Sequence, residues 1–344
     1  MARWCVWAGT GIAMLLGACD AAHSSSQSPE EKRCREASDA LRWDDAAAEC
    51  KKAVARADRS DEVIVLAARA LQRLRDPEAL AMAERGYGTS VDATARQIAG
   101  SLYLERDRPA EAELLLTQAV IAHRLAGDHE QLARDLQSLT GCFTRQRKLT
   151  QALDAANQCL VEAQRAGQPR LVGVAHRAQA PVLAMIGDSR GARNAYIDAS
   201  MELQRWPQDL AYVLLWHGLH LLEVDQATTA VKVLGEALEV AGKNGVVPVV
   251  SAANLNLAFA ERGLGHAAAA QRYLDALPAR LRDESPVSYV TGLLAADRGD
   301  ARTAAQLLET AAANPPDDDY AWRIAYERAV LAERAGELGR AEQL

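Results

Sequence analysis

The chain has 344 residues, of which 25% are charged and 49% are hydrophobic, and its formal net charge is −7. This length exceeds that of one ordinary compact core, so it suits two domains or an array of repeats. The mildly acidic balance argues against nucleic-acid binding, which requires a basic domain or stripe. Alanine accounts for 70 residues and aromatic residues for only 5%, a composition that favours helices packed closely through small side chains.

The first residues have the pattern of an export signal. Arg3 is the lone positive charge, and an apolar run follows from Trp4 to Leu16. A positive start, a short apolar stretch and small residues are typical of a secretory signal peptide. The run is too short to span a bilayer, which takes about 20 residues, and it ends in Leu-Gly-Ala-Cys at residues 16–19.

This tetrapeptide resembles the lipobox of bacterial lipoproteins. The resemblance implies that residues 1–18 are a lipoprotein signal peptide and that Cys19 becomes the acylated first residue of the mature chain. An ordinary signal peptide with an incidental cysteine is the alternative. Residues 19–29 are expected to form the lipidated N terminus and a flexible tether, because this stretch is polar and lacks periodicity. The expected location is the cell envelope, anchored by lipid to the inner or outer membrane and facing the periplasm.

Helical structure is predicted from residue 30 to residue 344. Ser28 can cap the first helix, Pro29 suits its first position, and Glu31 completes a capping box. From there an alanine recurs at intervals of 33 to 40 residues, at Ala46, Ala79, Ala112, Ala152, Ala192, Ala230, Ala269, Ala304 and Ala341. Such a period predicts a solenoid of paired helices.

Two further series of small residues support this phasing. Seven residues after the first eight alanines lie Ala53, Gly86, Ala119, Cys159, Ala199, Ala237, Ala276 and Ala311. Eleven or twelve residues before each of the nine lie Cys34, Ala67, Gly100, Gly141, Ala180, Gly218, Ala258, Gly292 and Ala329. Helix-breaking stretches such as Asp107-Arg108-Pro109 separate the two helices of a period, so each period is interpreted as a helical hairpin.

One small residue on a first helix and two on a second, around a short turn, resemble the tetratricopeptide repeat (TPR). The resemblance covers residues 30–344 and implies an all-α, right-handed α-solenoid of about eight to nine hairpins. Leu116, Leu234 and Leu308 replace the aromatic residue of the family after the turn, whereas Tyr196 and Tyr273 keep it. The periods of 38 to 40 residues look like those of the sensing arms of bacterial regulators.

The resemblance also implies that proteins or peptides bind to the concave face, which the first helices line. Side chains that the phasing turns toward this face are Gln97, Glu105, Arg145, Arg177, Tyr212, Glu223, Arg262, Tyr289, Arg323 and Tyr326. Arginine and tyrosine are enriched at binding hot spots. The alternative for each residue is an ordinary solvated helix position.

Catalytic and metal-binding patterns are weak in this sequence. His217, His220 and Glu223 are spaced so that the first and last diverge around a helix, and with Trp216 they are interpreted as a helix surface that faces a neighbour. No His-Glu-x-x-His or Walker pattern occurs. The prediction is a protein that is not an enzyme and has no cofactor or metal.

Four cysteines remain besides Cys5 in the signal peptide and Cys19 at the lipidation site. Cys34 and Cys50 fall on the two facing helices of the first hairpin, where they form either a disulfide, in an oxidising compartment, or two buried thiols in packing positions. Cys142 and Cys159 are predicted to be packing residues.

Two functions follow as hypotheses. The first is a lipid-anchored scaffold or adaptor that holds protein partners in the cell envelope. The alternative is the sensing or regulatory arm of a signalling or proteolytic effector that is encoded separately. The last hairpin would leave Ala325, Ala329, Val330 and Leu331 uncovered, so it is expected to be frayed or docked against a partner or a second copy of the chain.

Overall fold

The structure, a computed structural model, describes residues 28–316, 318–341 and 343. The predicted signal peptide, Cys19 and the tether up to residue 27 lie outside these residues. All regular secondary structure in the described residues is helical. No helix among them combines the length and the hydropathy that crossing a membrane requires.

The chain divides into two compact units, with the boundary after Ala119. In the first unit the helices are α1 (Pro29–Asp39), α2 (Trp43–Val54), α3 (Glu62–Arg73), α4 (Ala79–Glu84), α5 (Asp92–Glu105) and the beginning of α6 (Pro109–Ala126). After the end of α6, those of the second unit are α7 (His129–Arg145), α8 (Leu149–Arg165), α9 (Pro169–Met185), α10 (Ser189–Glu202), α11 (Pro207–Glu223), α12 (Ala227–Lys243), α13 (Val247–Gly263), α14 (Ala267–Asp275), α15 (Ser285–Asp297), α16 (Ala301–Ala313), α17 (Asp318–Arg334) and α18 (Leu338–Ala341). A short 3-10 helix, Ala279–Leu281, follows α14.

These helices form hairpins in which each odd-numbered helix is the first helix and the next even-numbered helix is the second. The pairing confirms the predicted all-α solenoid of TPR-like hairpins, and the ninth hairpin ends in the four residues of α18. Turns are short because single residues reverse the chain in the left-handed region, as at Asp107 (φ 56°) and Gly187 (φ 89°). Asp188 then caps α10, since its side chain accepts a hydrogen bond from the Gly191 N–H.

The two helices of a hairpin meet at a small residue on the first helix, here called the slot, and at the residue 16 positions later, here called the knob. A Cβ atom added to Gly218 would lie 2.5 Å from Cδ2 of Leu234, and one added to Gly100 would lie 2.7 Å from Cγ of Leu116. The eight slot–knob pairs, all buried, are Cys34–Cys50, Ala67–Ala83, Gly100–Leu116, Thr140–Ala156, Ala180–Tyr196, Gly218–Leu234, Ala258–Leu274 and Gly292–Leu308. Where the slot is glycine, the knob is leucine and fills the space that a side chain would occupy.

The predicted phasing is wrong by one residue in the seventh hairpin. Ala269 is partly exposed, whereas Ala270 is fully buried, and the knob is therefore Leu274 rather than Tyr273. Four consecutive alanines open α14, so spacing alone does not select the one that packs. Leu274 then supplies the large side chain that the slot requires.

The slot of the fourth hairpin also differs from the prediction. Gly141 is exposed, and a Cβ atom there would meet nothing within 4 Å. Thr140 takes the slot instead, with 2% exposure, and its hydroxyl donates a hydrogen bond to the Leu136 carbonyl at 2.8 Å. This local bond lets a polar residue occupy a buried position, since the hydroxyl keeps a partner.

The cysteines occupy packing positions in both units. Cys34 and Cys50 are the slot and knob of the first hairpin and are joined as a disulfide. Cys142 and Cys159 are buried free thiols, as predicted for packing residues, and burial raises the pKa of Cys159 to about 12. A thiol with so high a pKa is unreactive at neutral pH.

The predicted capping box of α1 forms only in part. The Ser28 hydroxyl accepts a hydrogen bond from the Glu31 N–H at 3.2 Å. The Glu31 carboxylate, however, is buried and accepts a bond from the Ser60 N–H at 2.6 Å instead of returning to the cap. It thereby ties the start of α1 to the turn before α3.

Slot packing leads to a stability prediction. Gly218→Leu should lower the free energy of unfolding by roughly 1 to 3 kcal/mol or more, because the new side chain overlaps Leu234. Thermal unfolding followed by circular dichroism measures the change. Gly141→Ala is the matched control: it removes a glycine from an open helix position and should stabilise by about 0.5 to 1 kcal/mol. Equal destabilisation by the two substitutions would contradict the assigned slot.

Candidate protein-binding face

The first helices of the second unit form a continuous surface, here called the first-helix face. Successive first helices contact one another, from α7 to α9, from α9 to α11 and from α11 to α13. Because the hairpins repeat, residues at equivalent positions on these helices point the same way. The face can therefore be described position by position relative to the slots at Ala180, Gly218 and Ala258.

A strip without charge crosses the middle of this face. It consists of three equivalent positions, which lie six and two residues before the slot and one residue after it, on each of three neighbouring helices. The nine residues, here called the apolar strip, are Val174, Ala178 and Pro181 on α9, Tyr212, Trp216 and Leu219 on α11, and Ala252, Asn256 and Phe259 on α13. All nine are partly or largely exposed. In a chain with 25% charged residues, such a run favours contact with another apolar surface.

Trp216 is the largest exposed side chain of the apolar strip. Its indole is 51% exposed, so the interpretation that it faces a neighbouring helix is wrong. His217 and His220 do face the neighbour, since both are buried against α10. A helix turns by 100° per residue, which places adjacent Trp216 and His217 on different sides. Tryptophan and tyrosine are frequent anchors of protein interfaces.

Charged residues border the apolar strip on both sides. On α7 the first of the equivalent positions carries Arg134, which donates to Glu130 at 2.8 Å, and Arg145 lies one turn beyond the last of them. At the C-terminal end of α13, Arg262 makes two hydrogen bonds to the carboxylate of Asp297 on α15, at 2.6 and 3.0 Å. The strip is therefore a bounded surface of three helices.

The structure places the ten predicted binding residues in different environments. Gln97 and Glu105 lie on α5 of the first unit, where Glu105 accepts a bond from Gln72 at 2.8 Å. Tyr212 belongs to the apolar strip, and Glu223 lies exposed at the end of α11. Arg145 and Arg177 on the first-helix face have interactions within the chain.

Three of the remaining predicted residues come together around Tyr289. This tyrosine is only 5% exposed, so its prediction as a binding residue is wrong: its ring packs edge-on against Tyr320, with the ring centres 5.6 Å apart. Burial, followed by the nearby Glu327 carboxylate, raises the pKa of Tyr289 to about 12, while Arg323 and Arg262 oppose the rise. Arg262 and Arg323 thus lie around a core tyrosine.

Tyr326 lies apart from the apolar strip, on α17. It is 56% exposed and stacks on Trp322, with the ring centres 5.8 Å apart. This aromatic pair lies on the first helix of the ninth hairpin. That the hairpin is docked or frayed stays a prediction.

A buried polar cluster lies behind the apolar strip, between α10 and α11. The His217 ring stacks on Tyr196, with centres 5.5 Å apart and planes 15° from parallel. His220 adjoins the same tyrosine, and its Nε2 lies 3.3 Å from the Ser189 carbonyl. Nε2 of His217 is buried and has no hydrogen-bond partner among the described residues. Burial, then the neighbouring His220 and Arg193, lower the pKa of His217 to about 4.

This cluster predicts a loss of stability in acid. The pKa of His217 falls from 6.5 in the unfolded chain to about 4 in the folded one, so the unfolded state binds the proton more tightly. Stability is complete above pH 6.5 and declines between pH 6.5 and pH 4, by up to about 3 kcal/mol. Urea unfolding at a series of pH values measures the decline.

His217→Phe keeps a ring against Tyr196 but does not titrate, so it serves as the control. This variant should lose less stability than the parent between pH 6.5 and pH 4. An identical pH profile for parent and variant would contradict the assignment to His217.

No protein-family model and no curated protein matches the sequence. Solved structures do match. The apo form of the quorum sensor NprR from B. thuringiensis has 13% identity and a TM-score of 0.65, over 91% of this chain and 95% of that one. A Rap protein in complex with competence and sporulation factor has 11% identity and a TM-score of 0.54, over 88% of this chain and 98% of that one.

A third similar structure is a signal transduction ATPase with a tetratricopeptide repeat sensor from Pyrococcus horikoshii. It has 15% identity and a TM-score of 0.67, over 93% of this chain and 53% of that one. This chain therefore spans about half the length of the ATPase. At such low identities the likeness establishes the fold: the protein is an all-helical, TPR-like solenoid.

Proposed function

We propose that the protein is a lipid-anchored, non-enzymatic adaptor of the bacterial cell envelope that binds partner proteins through its first-helix face. The apolar strip carries the proposal. Exposed apolar side chains on three adjacent helices, with a half-exposed tryptophan at the centre, cost free energy in water that a bound partner recovers. The lipobox-like sequence at residues 16–19 supports the anchor and the location.

A second candidate function is the sensing arm of an effector that is encoded separately. Two of the similar structures favour it, since one is a quorum sensor and the other contains a tetratricopeptide repeat sensor. The genes beside the coding sequence discriminate between the two functions: an effector reading frame supports the sensor, and envelope-assembly genes support the adaptor.

The anchor is tested with Cys19→Ser. Because the motif offers one acylation site, the variant should lose labelling by an alkyne fatty-acid probe and move from the membrane fraction to the soluble fraction. Cys34→Ser, in the same chain, is a control that should keep its label. Retention of the label by Cys19→Ser would contradict lipidation at this residue.

Partner binding is tested by photo-crosslinking in intact cells. We replace Trp216 with p-benzoylphenylalanine and expect discrete adducts after irradiation, because the residue lies at the centre of the apolar strip. Expression of the unmodified chain in excess should compete the adducts away, since both forms need the same partner.

The matched position is Glu239, which is exposed on the second helix α12 and paired there with Lys243. The photoreactive residue at this position should give no adduct that the unmodified chain competes away. Adducts at Glu239 together with none at Trp216 would contradict binding through the first-helix face.

A further inference from the structure

The apolar strip is poor in groups that form hydrogen bonds. Of its nine side chains, six are hydrocarbon, and the polar atoms belong to Tyr212, Trp216 and Asn256. The Asn256 amide already donates to the Ala252 carbonyl at 2.8 Å. The backbone groups of α9, α11 and α13 are used within the helices themselves, apart from the one helical bond of α9 that Pro181 removes because it has no N–H. A partner must therefore satisfy nearly all of its own polar groups where it touches the strip.

This constraint distinguishes between forms of the partner. An extended segment brings one N–H and one C=O per residue, and each group that becomes buried without a partner costs about 1 to 3 kcal/mol. An α-helix satisfies its backbone internally and can present a purely apolar face about 100° wide. On a surface with so few donors and acceptors, burying a helix therefore costs less free energy than burying an extended segment.

The dimensions of the apolar strip agree with the binding of one α-helix. The eight residues from Val174 to Pro181 span about 10 Å along a helix axis, which is the diameter of one α-helix. Three first helices packed at about 8 to 10 Å spacing make the strip about 16 to 20 Å long in the other direction. A helix of about three turns that crosses α9, α11 and α13 covers it.

We infer that the first-helix face recognises the apolar side of an amphipathic helix in its partner, with Trp216 as the central anchor. The inference rests on the proposed function and deepens it by assigning the chemical class of the partner. The partner helix presents uncharged side chains at helical spacing to the apolar strip. Its charged side chains point to solvent or toward the charged borders at α7 and at the Arg262–Asp297 pair.

The test uses two synthetic peptides of about 14 residues, made of the same leucine, alanine, glutamine and serine residues. In the helical peptide leucine follows the i, i+3, i+4, i+7 pattern, and in the alternating peptide it occupies every second position. Fluorescence anisotropy measures their binding to the full chain in lipid nanodiscs, where no detergent competes for the strip. The helical peptide should bind about tenfold more tightly or better.

Substitutions then locate the site. Trp216→Gln should weaken binding of the helical peptide about tenfold or more, whereas Trp322→Gln, at a tryptophan that is 66% exposed outside the strip, should leave it within about twofold. Asn256→Leu should maintain or strengthen binding, because a helix pairs its backbone groups internally and needs no hydrogen bond from the Asn256 amide. Unchanged melting temperatures of the three variants ensure that binding alone is compared.

Each remaining outcome overturns the inference. Tighter binding of the alternating peptide, or a loss of binding in Asn256→Leu, assigns an extended partner and leaves the proposed function standing. Equal effects of Trp216→Gln and Trp322→Gln place binding outside the strip. If the parent chain binds neither peptide, the inference fails, and crosslinking at position 216 decides the proposed function independently.

Discussion

The contact between slot and knob is the constraint on which the rest of the structure depends. In each hairpin the two helices can approach only as closely as the pair 16 residues apart allows. Different hairpins form this contact with different chemistry. It is a disulfide at Cys34–Cys50, a polar residue with a local hydrogen bond at Thr140, and glycine against leucine at Gly218–Leu234. What is kept is at least one small residue in each pair, since interiors are packed too densely for two large ones.

Because packing occupies one side of each first helix, the opposite side is left to carry binding chemistry. On α11 the buried side holds His217, His220 and the slot Gly218, while Trp216 and Tyr212 lie on the exposed side. The core thus fixes where the exposed side chains point without dictating what they are. A repeat array can therefore present a continuous apolar strip on three helices and charged residues on the helices beside them.

The repeat phasing, and with it the fold, could be predicted because small residues at slots leave a periodic trace in the sequence. Prediction failed where several small residues compete, as in the four alanines that open α14, or where a glycine is adjacent to a threonine, as at Gly141 and Thr140. The binding residues were harder to predict. Arginine and tyrosine are predicted to bind partners because these residue types are frequent in interfaces. Tyr289, however, is buried in the core, and Arg262 forms hydrogen bonds to Asp297. The apolar strip becomes visible in the sequence only when the residue two positions before each slot is compared across hairpins, which gives Ala178, Trp216 and Asn256.

The central claim, that slot and knob share one space, is tested most directly by a double-mutant cycle at Gly218 and Leu234. Free energies of unfolding are measured for the parent, Gly218→Ala, Leu234→Ala and the double variant. Leu234→Ala alone should destabilise by about 2 to 5 kcal/mol. In the double variant the added methyl group occupies space that the leucine has vacated, so its destabilisation should fall short of the sum of the single effects by about 1 to 3 kcal/mol. Additive effects would show that the two residues do not compete for the same space, and would contradict the account.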